Sequence, residues 1–213
     1  MGFLTGKGEI LETADAGVAF DGYETPILQT VKKEAAAFCD RFFAAHPEQK
    51  EKFAAAGVSA TGQIDMEHGI VTGAAEHIRN WKGSKIAEEL EEVLKVPVRV
   101  GNDANCAALG EYWLGAARGE ENVIAFTVGT GVGGGIIMGG RLLLGAHGIA
   151  GELGHMIIRG DGERCSCGNR GCLERYGATS ALIRMVRTGV EEGRIPRFAE
   201  EISGRTIFAE LQR

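Results

Sequence analysis

The spacing of apolar and polar positions changes several times along the chain and predicts its first elements. After Pro26, apolar side chains return every three or four positions, which predicts a long amphipathic helix because one helix face repeats every 3.6 residues. The members of this face are Ile27, Val31, Ala35, Phe38 and Phe42. The short apolar run 56–60 predicts a buried strand, and residues 61–65 are predicted to be the loop that follows it.

The helical spacing returns after a turn at residues 83–84. The apolar residues that carry it are Ile86, Leu90 and Val93. A strand over 96–100 and a third helix from 104 to about 114 are predicted next. Helices alternating with strands are typical of an α/β protein. Asp103 is therefore predicted at the carboxyl end of a strand and the amino end of a helix.

The second half of the chain predicts a hairpin sheet that begins a second domain. Its predicted elements are strands over 123–128, 135–138 and 141–144, a glycine-rich turn over 129–134, and helices over 178–186 and 196–213. We therefore predict two α/β domains, residues 1–118 and 119–213.

The charge and hydrophobicity of the chain limit the kinds of molecule that it is expected to bind. The chain has 213 residues, of which 44% are hydrophobic and 24% are charged, and its net charge is −6. An acidic chain does not favour a broad nucleic-acid or anionic-membrane surface, because both require concentrated basic charge. No apolar run approaches the ~20 residues that span a bilayer, and the chain opens without a secretory leader, so we expect a cytoplasmic protein.

One histidine and three cysteines follow each other at the spacing of metal ligands. These residues are His155, Cys165, Cys167 and Cys172. Three thiolates and an imidazole make a closed tetrahedral site of the kind that binds structural zinc. The alternatives are loose reactive cysteines or ligands of an iron–sulfur cluster, although such a cluster normally needs four thiolates.

Three further groups of residues suggest chemistry, and each has a plainer alternative. The glycine run 129–134 could cradle a phosphate with its backbone N–H groups, or it could be a hairpin turn. Asp103 could be the general base of a phosphoryl transfer, or it could cap the following helix. Glu152 and Glu174 could accept hydroxyl groups of a polyol, or they could be solvated surface charges. His155 could bind metal through one ring nitrogen and present the other to a ligand.

Four segments together resemble the ROK family in order and spacing, from about Gly8 to the end of the chain. The segments are residues 102–111, 129–137, 150–155 and 165–174. This family comprises bacterial sugar kinases, repressors and open reading frames, including glucokinases and N-acetylhexosamine kinases. The resemblance implies an α/β protein with the actin-like ATPase (RNase H-like) fold, in which sugar and ATP meet in a cleft between two domains.

The resemblance also implies roles for individual residues. Asp103 matches the catalytic base toward the sugar 6-hydroxyl. The residues that match the sugar site are Gly62, Gln63, Asn102, Asp103, Glu152, His155 and Glu174. The residues that match a phosphate-binding loop are Gly129, Thr130, Gly131, Gly133 and Gly134. His155 and the three cysteines match the ligands of a structural Zn²⁺, and Mg²⁺ is expected to arrive with ATP. The family pairs subunits, so a homodimer is expected.

The chain departs from the family pattern in two places. Kinases of the family carry an earlier phosphate loop, Asp-x-Gly-Gly-Thr, for which residues 15–17 are a poor substitute. The chain also stops before the family's closing segment, so we expect a fragment. An ATP-dependent hexose 6-kinase is the function predicted. The alternatives are a sugar-sensing transcriptional regulator, although no segment before Tyr23 is expected to form its helix-turn-helix, and an inactive fragment of either.

Overall fold

A computed structural model describes residues 1–73 and 78–212. The chain divides into two compact units, Met1–Cys106 and Ala107–Arg213. The division falls inside a helix, and the predicted boundary at residue 118 stays a prediction. Within the described residues, every helix is too short or too polar to span a bilayer.

The first unit combines three small sheets with two helices and the start of a third. Its elements are β1 (Gly2–Leu4), β2 (Ile10–Thr13), α1 (Ile27–Ala45), a 3₁₀ helix (Pro47–Lys52), β3 (Ala56–Ala60), β4 (Gln63–Asp65), β5 (Ile70–Gly73), α2 (Ile86–Leu94), β6 (Val98–Asn102) and α3 (Asp103–Trp113). Strands β3 and β6 are parallel, whereas β1 pairs with β2 and β4 pairs with β5 in antiparallel fashion.

The core of this unit lies between its helices and the parallel pair. The buried residues that form it are Ile27, Leu28, Ala60, Ile64, Val71, Trp81, Ile86, Leu90, Val98 and Val100. The predicted helices α1 and α2 and the strand β3 are confirmed. The opening hairpin is anchored on α1, because the ring of Phe3 stacks on that of Phe42 with centroids 3.8 Å apart.

Two predictions for this unit were wrong in detail. Residues 61–65 were predicted to be a loop, but β4 begins at Gln63 and pairs with β5, because Ile64 and Val71 are buried in the core. The strand predicted over 96–100 lies two residues later. Pro97 has no N–H to donate, and its carbonyl accepts the N–H of Ala56 immediately before the parallel ladder starts at Val98.

The second unit contains an antiparallel sheet, a long loop and three helices. Its remaining elements are β7 (Val123–Val128), β8 (Val132–Met138), β9 (Arg141–Leu142), a 3₁₀ turn (Leu153–His155), α4 (Glu174–Gly177), α5 (Thr179–Glu191) and α6 (Gly204–Leu211). The strand order β7-β8-β9 confirms the predicted hairpin sheet.

Four boundaries in this unit differ from the prediction, and one of them is the end of β9, which lies at Leu142 and not at residue 144. The glycine-rich turn is only residues 129–131, because β8 already begins at Val132 and pairs with Val128. Helix α5 runs to Glu191, beyond the predicted end at residue 186. Only Gly204–Leu211 is helical within the predicted 196–213, and Ser203 caps it by accepting the N–H of Thr206.

Candidate functional site

The parallel strands of the first unit end at the same edge, where they bring together three predicted site residues. Ala60 of β3 lies opposite Asn102 of β6. The Asn102 side chain donates from Nδ2 to the carbonyl of Gly62 at 2.9 Å. Its Oδ1 accepts the N–H groups of Ala104 and Asn105 at 3.0 and 3.2 Å. Asn102 therefore caps α3 and at the same time fixes the Gly62 turn.

Asp103 begins helix α3 and is exposed. One carboxylate oxygen, Oδ1, accepts the N–H of Ala104 at 2.8 Å. Among the described residues, the other oxygen has no hydrogen bond. The structure therefore leaves one oxygen of Asp103 available to a ligand, while the other interacts with the helix terminus as a capping group does.

Trp81 supports the same edge and was missed by sequence reasoning. Its side chain is 6% exposed, and Nε1 donates to the carbonyl of Thr61 at 2.9 Å. The next residue, Gly62, has φ of +97°, a conformation that side chains other than glycine rarely adopt. The only signal in the sequence was an aromatic residue inside a polar stretch.

The side chain of Gln63 is exposed and lies against Gly73.

The four predicted metal ligands of the second unit converge. One ligand atom from each of His155, Cys165, Cys167 and Cys172 lies within 4.8 Å of the others. The distance from Cys165 Sγ to His155 Nδ1 is 3.5 Å, and the distance from Cys167 Sγ to Cys172 Sγ is 3.6 Å. A tetrahedral zinc with typical bond lengths would place such pairs about 3.6 and 3.8 Å apart. The residues therefore fit a tetrahedral zinc ion.

The loop that carries the cysteines is closed by its own backbone. Cys165 donates its N–H to the carbonyl of Asn169 at 2.9 Å, and Gly168 donates to Cys165 at 3.1 Å. Gly168 and Gly171 have φ of +93° and +75°, which allows the loop to reverse.

The thiols of this loop differ in acidity. Burial, followed by the neighbouring thiols, raises the pKa of Cys172 to about 12. Burial also opposes ionisation of Cys167, but the N–H of Asn169 and the other two thiols outweigh it and lower its pKa. Because a metal binds thiolates, loading this cluster must release protons.

His155 faces two different groups with its two ring nitrogens. Nδ1 faces Cys165, and Nε2 lies 3.8 Å from Oε2 of Glu152. The side chains of His155 and Glu152 are 31% and 38% exposed, so a ligand can reach both. One ring nitrogen therefore lies beside a cysteine thiol and the other faces a carboxylate, and the binding of a metal and a ligand by the two nitrogens stays a prediction.

Glu174 interacts with the glycine-rich turn. Its Oε2 accepts the N–H of Val132 at 3.1 Å, and a Cβ at Gly131 would overlap the same oxygen. Gly131 is thus required for the close approach of Glu174.

The five residues predicted to bind phosphate fall into two groups. Gly133 and Gly134 belong to β8, and Gly134 is buried where a Cβ would lie 2.6 Å from Leu153. Gly129, Thr130 and Gly131 form the turn itself. Within the described part of the chain, the N–H groups of Thr130 and Gly131 have no hydrogen-bond acceptor, so both remain available to an anion.

The chain has two α/β units, as an actin-like ATPase fold does. The first unit has an acidic residue at a strand edge, and the second has a glycine turn between antiparallel strands. The model of the ROK family matches residues 7–213, and the chain belongs to this family. Its fold is the actin-like ATPase fold of the family's sugar kinases, which confirms the predicted fold class.

Known proteins of the family resemble the chain over most of its length. The chain is 38% identical to a glucokinase of Halalkalibacterium halodurans in an alignment of 201 residues, and the match covers 90% of this chain and 57% of the relative. It is 39% identical to the xylose repressor of Bacillus subtilis over 132 residues, 62% of this chain and 34% of that protein.

Among solved structures, a ROK family glucokinase from Streptomyces griseus, in complex with glucose and AMPPNP, superposes with a TM-score of 0.72. It is 32% identical to this chain, and the match covers 99% of this chain and 66% of that structure. The chain thus spans a little over half the length of the first relative and two thirds of this structure.

Proposed function

We propose that this chain is the sugar-recognising part of an ATP-dependent hexose kinase, similar to glucokinase, which phosphorylates the sugar 6-hydroxyl. The observation that carries the proposal is Asp103, whose free carboxylate oxygen lies exposed at the edge of a parallel strand pair. The similarity to glucokinases supports the assignment.

In the proposed reaction, Asp103 orients the 6-hydroxyl and accepts its proton. The hydroxyl oxygen forms a bond to the γ-phosphorus of ATP while the bond to the β-phosphate oxygen breaks, and ADP leaves. Positioning and charge stabilisation supply most of the catalysis in such transfers. Mg²⁺ bound with ATP would neutralise the phosphates.

Each unit carries residues that we propose to bind sugar. In the first unit, these residues are Gly62, Gln63, Asn102 and Asp103. In the second unit, they are Glu152, His155 and Glu174. Carboxylate oxygens and the second imidazole nitrogen can pair with several hydroxyl groups, so a stereoisomer with a misplaced hydroxyl would leave one of them unpaired.

The glycine turn is proposed to bind the nucleotide phosphates. The free N–H groups of Thr130 and Gly131 support this role, and Glu174 links the turn to the sugar-binding residues through Val132. His155, Cys165, Cys167 and Cys172 would hold a structural zinc that stabilises the loop and fixes the orientation of the imidazole ring. We further propose that domains 1–118 and 119–213 belong to a subunit of a cytoplasmic homodimer.

The proposal is tested by ADP release from MgATP across a panel of hexoses and N-acetylhexosamines. We expect release with one of these sugars, and a loss of about 10²–10⁴-fold in Asp103→Asn. The matched control is Asp40→Asn, which removes an exposed carboxylate from helix α1. Equal activity of Asp103→Asn and the native chain would contradict the assignment of the base.

The second candidate is a sugar-sensing regulator, which the similarity to the xylose repressor favours. In that case, the same residues would bind sugar without phosphoryl transfer. Calorimetry that detects sugar binding by a chain that releases no ADP would support this candidate over the kinase. Absence of both sugar binding and ADP release would indicate an inactive fragment.

A further inference from the structure

A concave region lies in the loop of the second unit, beside the cysteine cluster. Its volume is about 480 Å³. Three arginines line it, together with two carboxylates and a tyrosine: Arg159, Arg164, Arg170, Asp161, Glu163 and Tyr176. None of the residues assigned above to sugar, nucleotide or metal lines this cavity.

Several hydrogen-bond donors at this cavity are not used by the protein. Arg164 has no hydrogen bond or ion pair among the described residues, and Arg170 uses one terminal nitrogen to donate to the carbonyl of Gly162 at 3.4 Å. The hydroxyl of Tyr176 accepts the N–H of Glu163 at 2.9 Å, which leaves its own hydrogen free to donate. Arg159 pairs with Asp161 at 3.4 Å.

The backbone that carries these donors is closely packed. Arg164 and Arg170 face each other across a short antiparallel bridge. A Cβ at Gly162 would overlap the hydroxyl of Tyr176, and one at Gly171 would overlap the carbonyl of Arg159. Gly171 also donates to Glu163 at 2.8 Å. These contacts keep the backbone positions that carry the three arginines close together around one concave surface.

We propose that this cavity binds a small phosphate-bearing ligand, a phosphate monoester or inorganic phosphate. Guanidinium groups bind phosphate through paired hydrogen bonds, and the free tyrosine hydroxyl adds a neutral donor. The charged residues sum to three positive and two negative, so the site is weakly cationic, and Asp161 and Glu163 can accept hydroxyl groups of the esterified polyol. A hexose phosphate satisfies both requirements.

The test is titration calorimetry of the full chain with three probes: inorganic phosphate, glucose 6-phosphate and glucose. We expect both phosphates to bind saturably, and to bind about tenfold more weakly to Arg164→Gln, because a hydrogen bond to a charged group is lost. The matched control is Arg205→Gln, which removes the same charge from an exposed position on α6 and should change the affinity less than twofold. Circular dichroism of both variants verifies their folding.

Three results would overturn the proposal. The first is that neither phosphate binds. The second is that Arg205→Gln weakens binding as much as Arg164→Gln, which would indicate a general charge effect. The third is that only glucose 6-phosphate binds and that glucose displaces it, which would place the ligand in the sugar site. Binding of inorganic phosphate that persists with saturating glucose would support the cavity, whether or not the chain proves to be a kinase.

Discussion

The strand edge of the first unit and the cysteine loop of the second unit are held together by different interactions. The edge at Asn102 lies directly on a core of ten buried hydrophobic residues. Among the described residues of the second unit, the buried cluster consists of Val132, Ala178 and Ala181, and the loop contributes the partly buried Leu173. The loop is instead held by glycine contacts and by four converging ligand atoms.

This difference indicates how each set of candidate residues is positioned. Hydrophobic burial anchors the strands that end at the first edge, because these strands contribute Ala60, Val98 and Val100 to the core. The loop contributes little to the buried cluster of its unit, so we expect a bound metal to add the stability that a core would otherwise supply. Substitutions that remove the metal cluster, the buried core, a glycine contact and a hydrogen bond in turn test this difference.

The largest effect is expected when the metal cluster is broken. Cys172→Ser removes a fully buried thiol from the proposed zinc site, so the chain should no longer retain zinc and the loop should become susceptible to proteolysis. Binding free energies of structural zinc sites are on the order of 10 kcal/mol. The loss of stability in this variant should therefore exceed the loss in each of the variants described below. Metal content by mass spectrometry and limited proteolysis measure it.

The matched control for the metal prediction is Cys39→Ser, which removes a thiol from helix α1 of the first unit. It should leave one zinc per chain. A zinc-free native chain whose loop resists proteolysis would show that the glycine contacts hold the loop without a metal.

The next largest effect is expected in the core of the first unit. Leu90 of α2 is 2% exposed, so Leu90→Ala should reduce the free energy of unfolding by about 2–5 kcal/mol. Zinc content should not change. Leu211→Ala, at a position that is 76% exposed, should change the free energy of unfolding by no more than about 0.5 kcal/mol. Urea unfolding measures both, and similar losses in the two variants would contradict the assignment of the core.

Close packing at the metal loop predicts a third, smaller effect. A Cβ at Gly154 would overlap the carbonyl of Val132 in β8, so Gly154→Ala must displace the turn that carries His155. We expect the free energy of unfolding to fall by about 1–3 kcal/mol and the affinity for zinc to weaken. Gly160→Ala is the control, because no atom lies within 4 Å of its Cβ position. Chelator competition would detect the change in affinity, and equal affinities in the two variants would contradict the role of this contact.

The smallest effect is expected at the strand edge. Trp81→Phe keeps most of the buried ring but removes the hydrogen bond to Thr61, which should cost about 1 kcal/mol in unfolding experiments. Sugar affinity should fall by a few-fold, because the Gly62 turn loses one of its supports. Trp113→Phe removes an indole that is 49% exposed and should leave sugar affinity unchanged. A Trp81→Phe variant with native affinity would show that Asn102 alone holds the turn.

The sequence predicted the helices, most strands and the metal cluster because each has a local signal. The 3.6-residue period of α1 and α2 and the short spacing of the cysteines are properties of neighbouring residues. Strand β5 and the true start of β8 were missed because pairing, and not the local pattern, defines them. Strands β1, β2 and β4 were also missed, and the exact position of β6 was missed for the same reason.

Residue identity alone determined which chemical groups this protein has: a carboxylate between strand and helix at Asp103, four metal ligands at short spacing, and a run of glycines. Only the tertiary structure decided how these groups are used within each unit. It turned Asn102 into a helix cap that also holds Gly62, and it placed Glu174 against Gly131. Long-range contacts of this kind depend on which backbones approach closely, and a local sequence pattern does not encode the distance between residues 42 positions apart.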